Sequence, residues 1–335
     1  MSAIENTETL KHELTTEVDS LKHEMEETVH KEASPVTQIL NDLGDHEEFS
    51  YGIWHADILP VILYDKGQFH FYGNRSSMED SGDYVMVHHH IVRASNHEAP
   101  DLNLSITNMV AFQWMAMILL LVLFFTASKK AKKSGEKAPS GIHNLLESIV
   151  VFIRDDVVQP NIAGNAGVRL LPYFLVLFMF ILVLNLIGLL PGGHTATGTI
   201  GVTAALAITA FFVINYTAIK ESGIKAWFHH LLGGAPWWLG ILMIPIEIAS
   251  MFIKPFSLTI RLFANMVAGH TVLFSLMGLL FLFQSYFVAV PIVGFATFIN
   301  LLELLVAFLQ AYIFTMLTAI FVGLAIGEHS HEHAH

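Results

Sequence analysis

ILMIPIEIASMFIKPFSLTIRLFANMVAGHTVLFSLMGLLFLF, residues 241–283, decides the fold of this chain. It is too apolar to face water and too long for one upright membrane crossing. Even ~35 residues of helix span ~52 Å, against a hydrocarbon core of ~30 Å. Such a segment must be steeply tilted, kinked or broken, and Pro255 is placed to kink it. From Ile241 to Gly327 the charged residues are Glu247, Lys254, Arg261 and Glu303, with one histidine, His270. Arg261 is the most informative. A guanidinium at mid-membrane costs at least ~2.5–3.5 kcal/mol on insertion scales and cannot escape by losing its proton. It must face a protein partner or water, and it marks an ion or substrate path.

Working outward, Val290–Gly327 is a second over-long apolar segment, and Gln284-Ser285 makes the turn between the two. Upstream, Met109–Ala127 is a first span, followed at once by Lys129, Lys130, Lys132, Lys133 and Lys137. The positive-inside rule holds those lysines in the cytoplasm and places the N-terminus outside. Leu171–Leu190 then runs outward to Pro191-Gly192-Gly193, and Ile200–Ile219 returns to Lys220 and Lys225. Residues 142–157 differ: Ile142, Leu145, Leu146, Ile149, Val150, Ile153 and Val157 share one helical face, while His143, Asn144, Glu147, Arg154 and Asp155 lie largely off it. That pattern predicts a helix lying in the membrane interface. The expected fold is an all-α polytopic membrane protein with five crossing helices, one interfacial amphipathic helix, and the last two helices long and tilted. The C-terminus falls in the cytoplasm.

Composition supports this class. Of 335 residues, 53% are hydrophobic and 14% charged, which is a membrane composition. The absence of cysteine excludes disulfides and thiolate chemistry. The net charge of −12, carried largely by the N-terminal region, argues against nucleic-acid binding. The first twenty residues show neither a basic region nor an apolar run, so no cleavable signal is expected. Residues 1–105 read as a polar extracytoplasmic extension, 106–328 as the membrane domain and 329–335 as a His-rich cytoplasmic tail. Within the extension, Leu14, Val18, Leu21 and Met25 suit a short exposed amphipathic helix. ILPVILYDKGQFHFYG, residues 58–73, suits two strands joined at Asp65-Lys66-Gly67. His88-His89-His90 and the tail GEHSHEHAH could present imidazoles to a metal, but the tail lacks an orienting shell, and the plainer reading is solvated histidine. Neither a metal site nor a cofactor is expected.

Helical geometry places the charged groups. Glu247, Lys254, Arg261 and Asn265 fall within about ±40° of one line on the first long helix. His270 points to the other side, ~13 Å nearer the outside than Arg261. Glu303, on the descending helix, also lies in the outer half. Gln310 is ~10 Å deeper on the same face, near the level of Arg261. Taken singly, each has a plainer role. Arg261 could pair with Glu303 as a structural bridge, Lys254 and Glu247 could snorkel, and Asn265 and Gln310 could join helices. Together they make one polar cluster outside the arginine (His270, Glu303) and one inside it (Glu247). That arrangement suits two proton half-channels, since histidine and carboxylate relay protons.

SLTIRLFANMVAGH (257–270), LLELLVAFLQAYIFTMLTAIF (301–321) and NLIGLLPG (185–192) resemble subunit a of F-type ATP synthases. The resemblance covers about residues 105–328. It implies a non-catalytic, proton-translocating stator subunit in a bacterial inner membrane, whose partners are a rotating c-ring, b-type peripheral stalk subunits, the remaining synthase subunits and the lipid bilayer. Arg261 matches the family's essential arginine, and His270 and Glu303 match inlet positions in the mitochondrial order. Asn265 and Gln310 match polar positions near the arginine, and Glu247 matches an outlet position. Gly188 stands where some bacterial members carry an aspartate, and the long extension has no counterpart in the family's usual N-terminal segment. The absence of a GxxxxGK[ST] loop fits a chain that does no phosphoryl chemistry. The competing readings are a stand-alone channel or secondary transporter, which would show repeated halves, and a haem protein, which would need paired intramembrane histidines.

Overall fold

The computed structural model describes residues 49–51, 54–87, 90–134, 141–162, 164–190, 196–224, 227, 237–283 and 285–327. The expected helix around Leu14–Met25, His88-His89, the Pro191-Gly192-Gly193 turn and the His-rich tail lie outside these residues. The described residues fall into two compact units. One is Val272–Ala296, where the two long helices meet. The other holds everything else discussed below.

The extension is more than a hairpin. Strands β1 (Phe49–Tyr51), β2 (Trp54–Ala56), β3 (Val61–Asp65), β4 (Gln68–Tyr72), β5 (Tyr84–Val87), β6 (His90–Arg93) and β7 (Leu102–Asn103) form three small antiparallel sheets, ordered β1-β2, β4-β3-β7 and β5-β6. The β3–β4 turn is the one the sequence announces. Lys66 and Gly67 both have positive φ, 48° and 82°, as a two-residue type I′ turn requires. Helix α1 (Arg75–Asp80) is capped by Asn74, whose side chain accepts from Ser77 N at 3.0 Å. The Asp57 carboxylate accepts from the Arg75 and Ser76 amides, both at 2.9 Å. Val61 and Leu63 alternate inward against Met78, Tyr84 and Ile91 to make the core.

Asp65 is buried beside that core and fully partnered. It accepts from Arg93 Nε at 2.7 Å and again from Nη2, and from Tyr84 OH at 2.9 Å. The Arg93 bonds hold its carboxyl well below the usual carboxylate range, against the upward push of burial and with help from Tyr84. Burial, then the Asp65 carboxylate, push Tyr84 up to about 12. A depressed carboxyl stabilises the fold above its unfolded pKa of about 3.9 and loses that contribution as pH falls through its folded value. Hydrogen exchange in β3 and β5, corrected for intrinsic rates, should therefore stay slow at pH 7 and become faster well below pH ~4. Arg93→Gln should speed it at pH 7. Equal protection in the variant at both pH values would show that the network does not stabilise the domain.

Five helices are long and apolar enough to cross a membrane, as the sequence leads one to expect. They are α2 (Asn108–Ser134), α4 (Gly164–Leu189), α5 (Ile200–Ser222), α6 (Gly240–Phe283) and α7 (Tyr286–Gly327). Helix α3 (Ile142–Phe152) continues through a π-helical stretch, Ile153–Val158, and a last turn, Gln159–Asn161. Its face is divided as amphipathicity demands: Leu146, Ile153 and Val157 are buried while Arg154 and Asp155 are exposed. Helix α4 is the hub. Phe174, Phe178 and Ile181 meet Leu258 and Leu262 of α6 and Ala311 and Phe314 of α7 in one core. Small residues permit the closest approaches. A Cβ on Gly323 would strike the Asn161 carbonyl, and one on Gly167 would come within 2.7 Å of Ile162 O.

The over-long segments are each one continuous helix. Pro245 and Pro255 lie inside α6, and Pro291 falls early in α7. Half of the most apolar stretch of α4 is buried within the chain, but only 6% of that of α6. Helix α6 therefore leaves much of its surface open to lipid or to another chain.

Candidate functional site

Helix α6 brings His270 to the side of α4 and α7. Its Nε2 lies 3.1 Å from Gly188 O, where α4 nears its end. A carbonyl only accepts, so Nε2 carries a proton. Nδ1 is turned to Glu303 on α7, 3.6 Å from Oε1, with the two side chains 13% and 10% exposed. Both Glu303 oxygens are buried without a hydrogen bond within 3.5 Å. Gly269 makes room for them, since a Cβ there would run into the carboxylate. Asn185, fully buried on α4, ties the same helices together: its Nδ2 donates to Ala307 O at 3.2 Å, and its Oδ1 accepts from Thr197 at 2.8 Å.

Further along, Asn265 Nδ2 donates to Gln310 Oε1 at 2.8 Å. Glu247 and Lys254 line a cavity of about 60 Å³ with Asn215, Ser222, Trp227 and Phe321, enough to hold water. The Lys254 ammonium sits 5.3 Å from the centre of the Phe321 ring, and Trp227 Nε1 donates to Asn215 Oδ1 at 3.2 Å.

Arg261 stands apart from both groups. It is exposed, among Phe256, Ile260 and Val267, and makes no hydrogen bond or ion pair among the described residues. A structural bridge to Glu303 is thus not what the chain builds. Glu247, Lys254, Arg261 and Asn265 share a stripe, but what covers the stripe changes along it. It is α5 and α7 at the Glu247 end and Gln310 at Asn265, while the stretch at Arg261 is exposed among the described residues. Sequence reading missed Gly269, Asn185, and the use of Gly188 through its backbone rather than a side chain. For Asn185 the signal was available, as a lone amide in an apolar helix.

Comparison with known proteins agrees with this architecture. The family described as "ATP synthase A chain" matches residues 110–323. The chain is 47% identical over 270 residues to "ATP synthase subunit a 2" of Chlorobaculum tepidum, covering 76% of each. It is 48% identical over 250 residues to "ATP synthase subunit a" of Chloroherpeton thalassium, covering 73% of this chain and 75% of that one. It is 50% identical over 233 residues to the protein of that name from Chlorobium phaeobacteroides, covering 69% and 68%. With five apolar helices contributing to one core and a match across most of its length, the chain belongs to the ATP synthase A chain family.

Proposed function

We propose that this chain is the non-catalytic, proton-translocating stator subunit of an F-type ATP synthase, and that Arg261 separates two offset half-channels. The observation that carries the reading is an exposed guanidinium, without a hydrogen bond or ion pair among the described residues, in the open stretch of an intramembrane helix. Lipid is a costly neighbour for it, so an anionic group on another chain must face it. A carboxylate on a rotating c-ring meets that need.

In this scheme protons arrive through water around His270 and Glu303. One neutralises a ring carboxylate, which then crosses lipid uncharged as the ring turns. On its return the carboxyl releases the proton to the water-sized cavity beside Glu247. Arg261 attracts the ionised carboxylate and repels protons that would otherwise leak across. Asn265 and Gln310 hold α6 and α7 in register beside it. The phosphoryl chemistry belongs to other subunits. Residues 1–105 form the outer extension and 106–328 the membrane domain, in a bacterial inner membrane with the N-terminus outside. The b-type stalk subunits hold the chain against rotation. The direct test is ATP-driven acidification of liposomes carrying the assembled complex with Arg261 replaced.

Gly269 offers a second test, of the inlet. In Gly269→Ala the new methyl meets the far end of a flexible side chain. Glu303 can swing aside, so assembly should survive. The cost falls on the His270–Glu303 geometry, and a shift of about 1 Å in a proton-handling pair is worth up to ~100-fold in rate. Pumping by this variant should drop at least tenfold. Pumping at the unmutated rate would show that the close packing has no part in proton delivery.

A further inference from the structure

We propose that the aromatic face of the β4-β3-β7 sheet rests on the lipid headgroup layer at the start of α2. The pairing register defines that face. Val61, Leu63 and Asp65 point into the extension's core. Ile62 and Tyr64 point the other way, opposite Phe71 and Phe69 on β4, with Leu102 opposite Tyr64 on β7. Leu104, whose amide donates to Ile62 O at 2.9 Å, extends the row.

These side chains are open in this chain: Phe71 is 70% exposed, Phe69 59%, Leu102 50% and Leu104 48%. The Phe69 ring contacts Tyr64 at 4.8 Å and Phe71 at 6.1 Å, so they form one surface rather than scattered apolar residues. No charged residue interrupts it. Lys66 and Asp101 lie at its margins and meet each other there, with Asp101 accepting from the Lys66 amide at 2.9 Å. An apolar, aromatic face without charged groups is poor material for water and for a polar rim with a protein. It suits the interfacial zone, where Tyr and Phe are at home.

Position argues for lipid as the occupant. The sheet stays paired almost to the membrane: Ile106 N donates to Pro60 O at 3.2 Å, and α2 begins at Asn108. Leu104 is therefore within ~14 Å of the first residue of the span, and Phe71 lies two strand spacings, ~10 Å, to its side. The span Asn108–Lys130 is ~34 Å long, which fills the hydrocarbon core and leaves Asn108 at its edge. Below it Trp114, Ile118 and Leu121 are exposed on α2, so the span beneath the sheet has a lipid-facing side of its own. The Phe49 and Phe112 rings stack at 5.7 Å, fixing the extension to the first turns of that span. The inference needs only that α2 crosses the membrane. It does not depend on which side the extension lies or on the proton path.

The chain has no cysteine, so Phe71→Cys and Asp80→Cys each give one labelling site. Asp80 is exposed on α1, whose Met78 packs on the opposite face of the sheet. Each nitroxide-labelled chain is assembled into the complete synthase, free of other reactive thiols, in phosphatidylcholine–phosphatidylglycerol vesicles. Collision with oxygen is then compared with collision with a water-soluble nickel chelate. The label at 71 should collide more with oxygen than with nickel, reversing the order found at 80. Nickel collision at 71 equal to that at 80 would overturn the proposal, leaving the face in water. Immobilisation without collision from either reagent would overturn it too, because a protein would then cover the face.

Discussion

Arg261→Ala should abolish ATP-driven proton pumping by the assembled complex while leaving assembly intact. The two halves of that expectation have separate causes. Arg261 makes no hydrogen bond or ion pair among the described residues, so its removal leaves no buried partner stranded. It even relieves an intramembrane charge worth ~2.5–3.5 kcal/mol on insertion scales. Stability should therefore hold or rise. In the proposed scheme pumping depends on a fixed charge meeting the ring carboxylate, and removing a preorganised charge from a water-poor site costs roughly a hundredfold or more in rate. Passive conductance of the same vesicles should rise, because nothing then repels protons between the Glu247 cavity and the His270 cluster. Arg261→Lys should recover little, since a lysine can shed its proton in that setting. Acidification at a normal rate in Arg261→Ala would sink the half-channel scheme.

The broad fold is legible in the sequence because its signals are local and strong. Asp65-Lys66-Gly67 marks a hairpin turn by the φ values that glycine permits, and long apolar runs mark spans. Where the reading fell short, the cause was long-range or backbone chemistry. The strands after Tyr72 are brief and do not alternate in polarity, and Asp65 reaches Arg93 and Tyr84 on them across a long stretch of sequence. A stripe of polar residues on α6 can be counted from the sequence, but its cover cannot, so Glu247 and Arg261 looked alike when one lines a cavity and the other is bare. His270 and Glu303 stood out as titratable groups in apolar helices. Their shared neighbours Gly188 and Gly269 did not, because one contributes a carbonyl and the other an absent Cβ. A carbonyl has no signature in residue type, and a glycine does not announce which side chain will fill the space it leaves.

That backbone contribution leads to the second large expected effect, in the His270–Glu303 pair. With Nε2 donating to Gly188 O, the imidazole turns Nδ1 toward a carboxyl 3.6 Å away. An unprotonated ring nitrogen and an ionised carboxylate would face each other as two acceptors. One proton between them removes the conflict, whichever atom holds it. The two side chains then act as a single proton-holding unit, and each alone is a poor substitute for it. His270→Ala and Glu303→Gln should each lower pumping roughly a hundredfold, within the range for a positioned acid–base group. The double variant should be little worse than either single one, because groups that act as a unit are strongly non-additive. ATP hydrolysis uncoupled from acidification, with the complex intact, locates the loss in proton delivery rather than in assembly. If the two effects multiply in the double variant, His270 and Glu303 work independently and the shared proton is wrong.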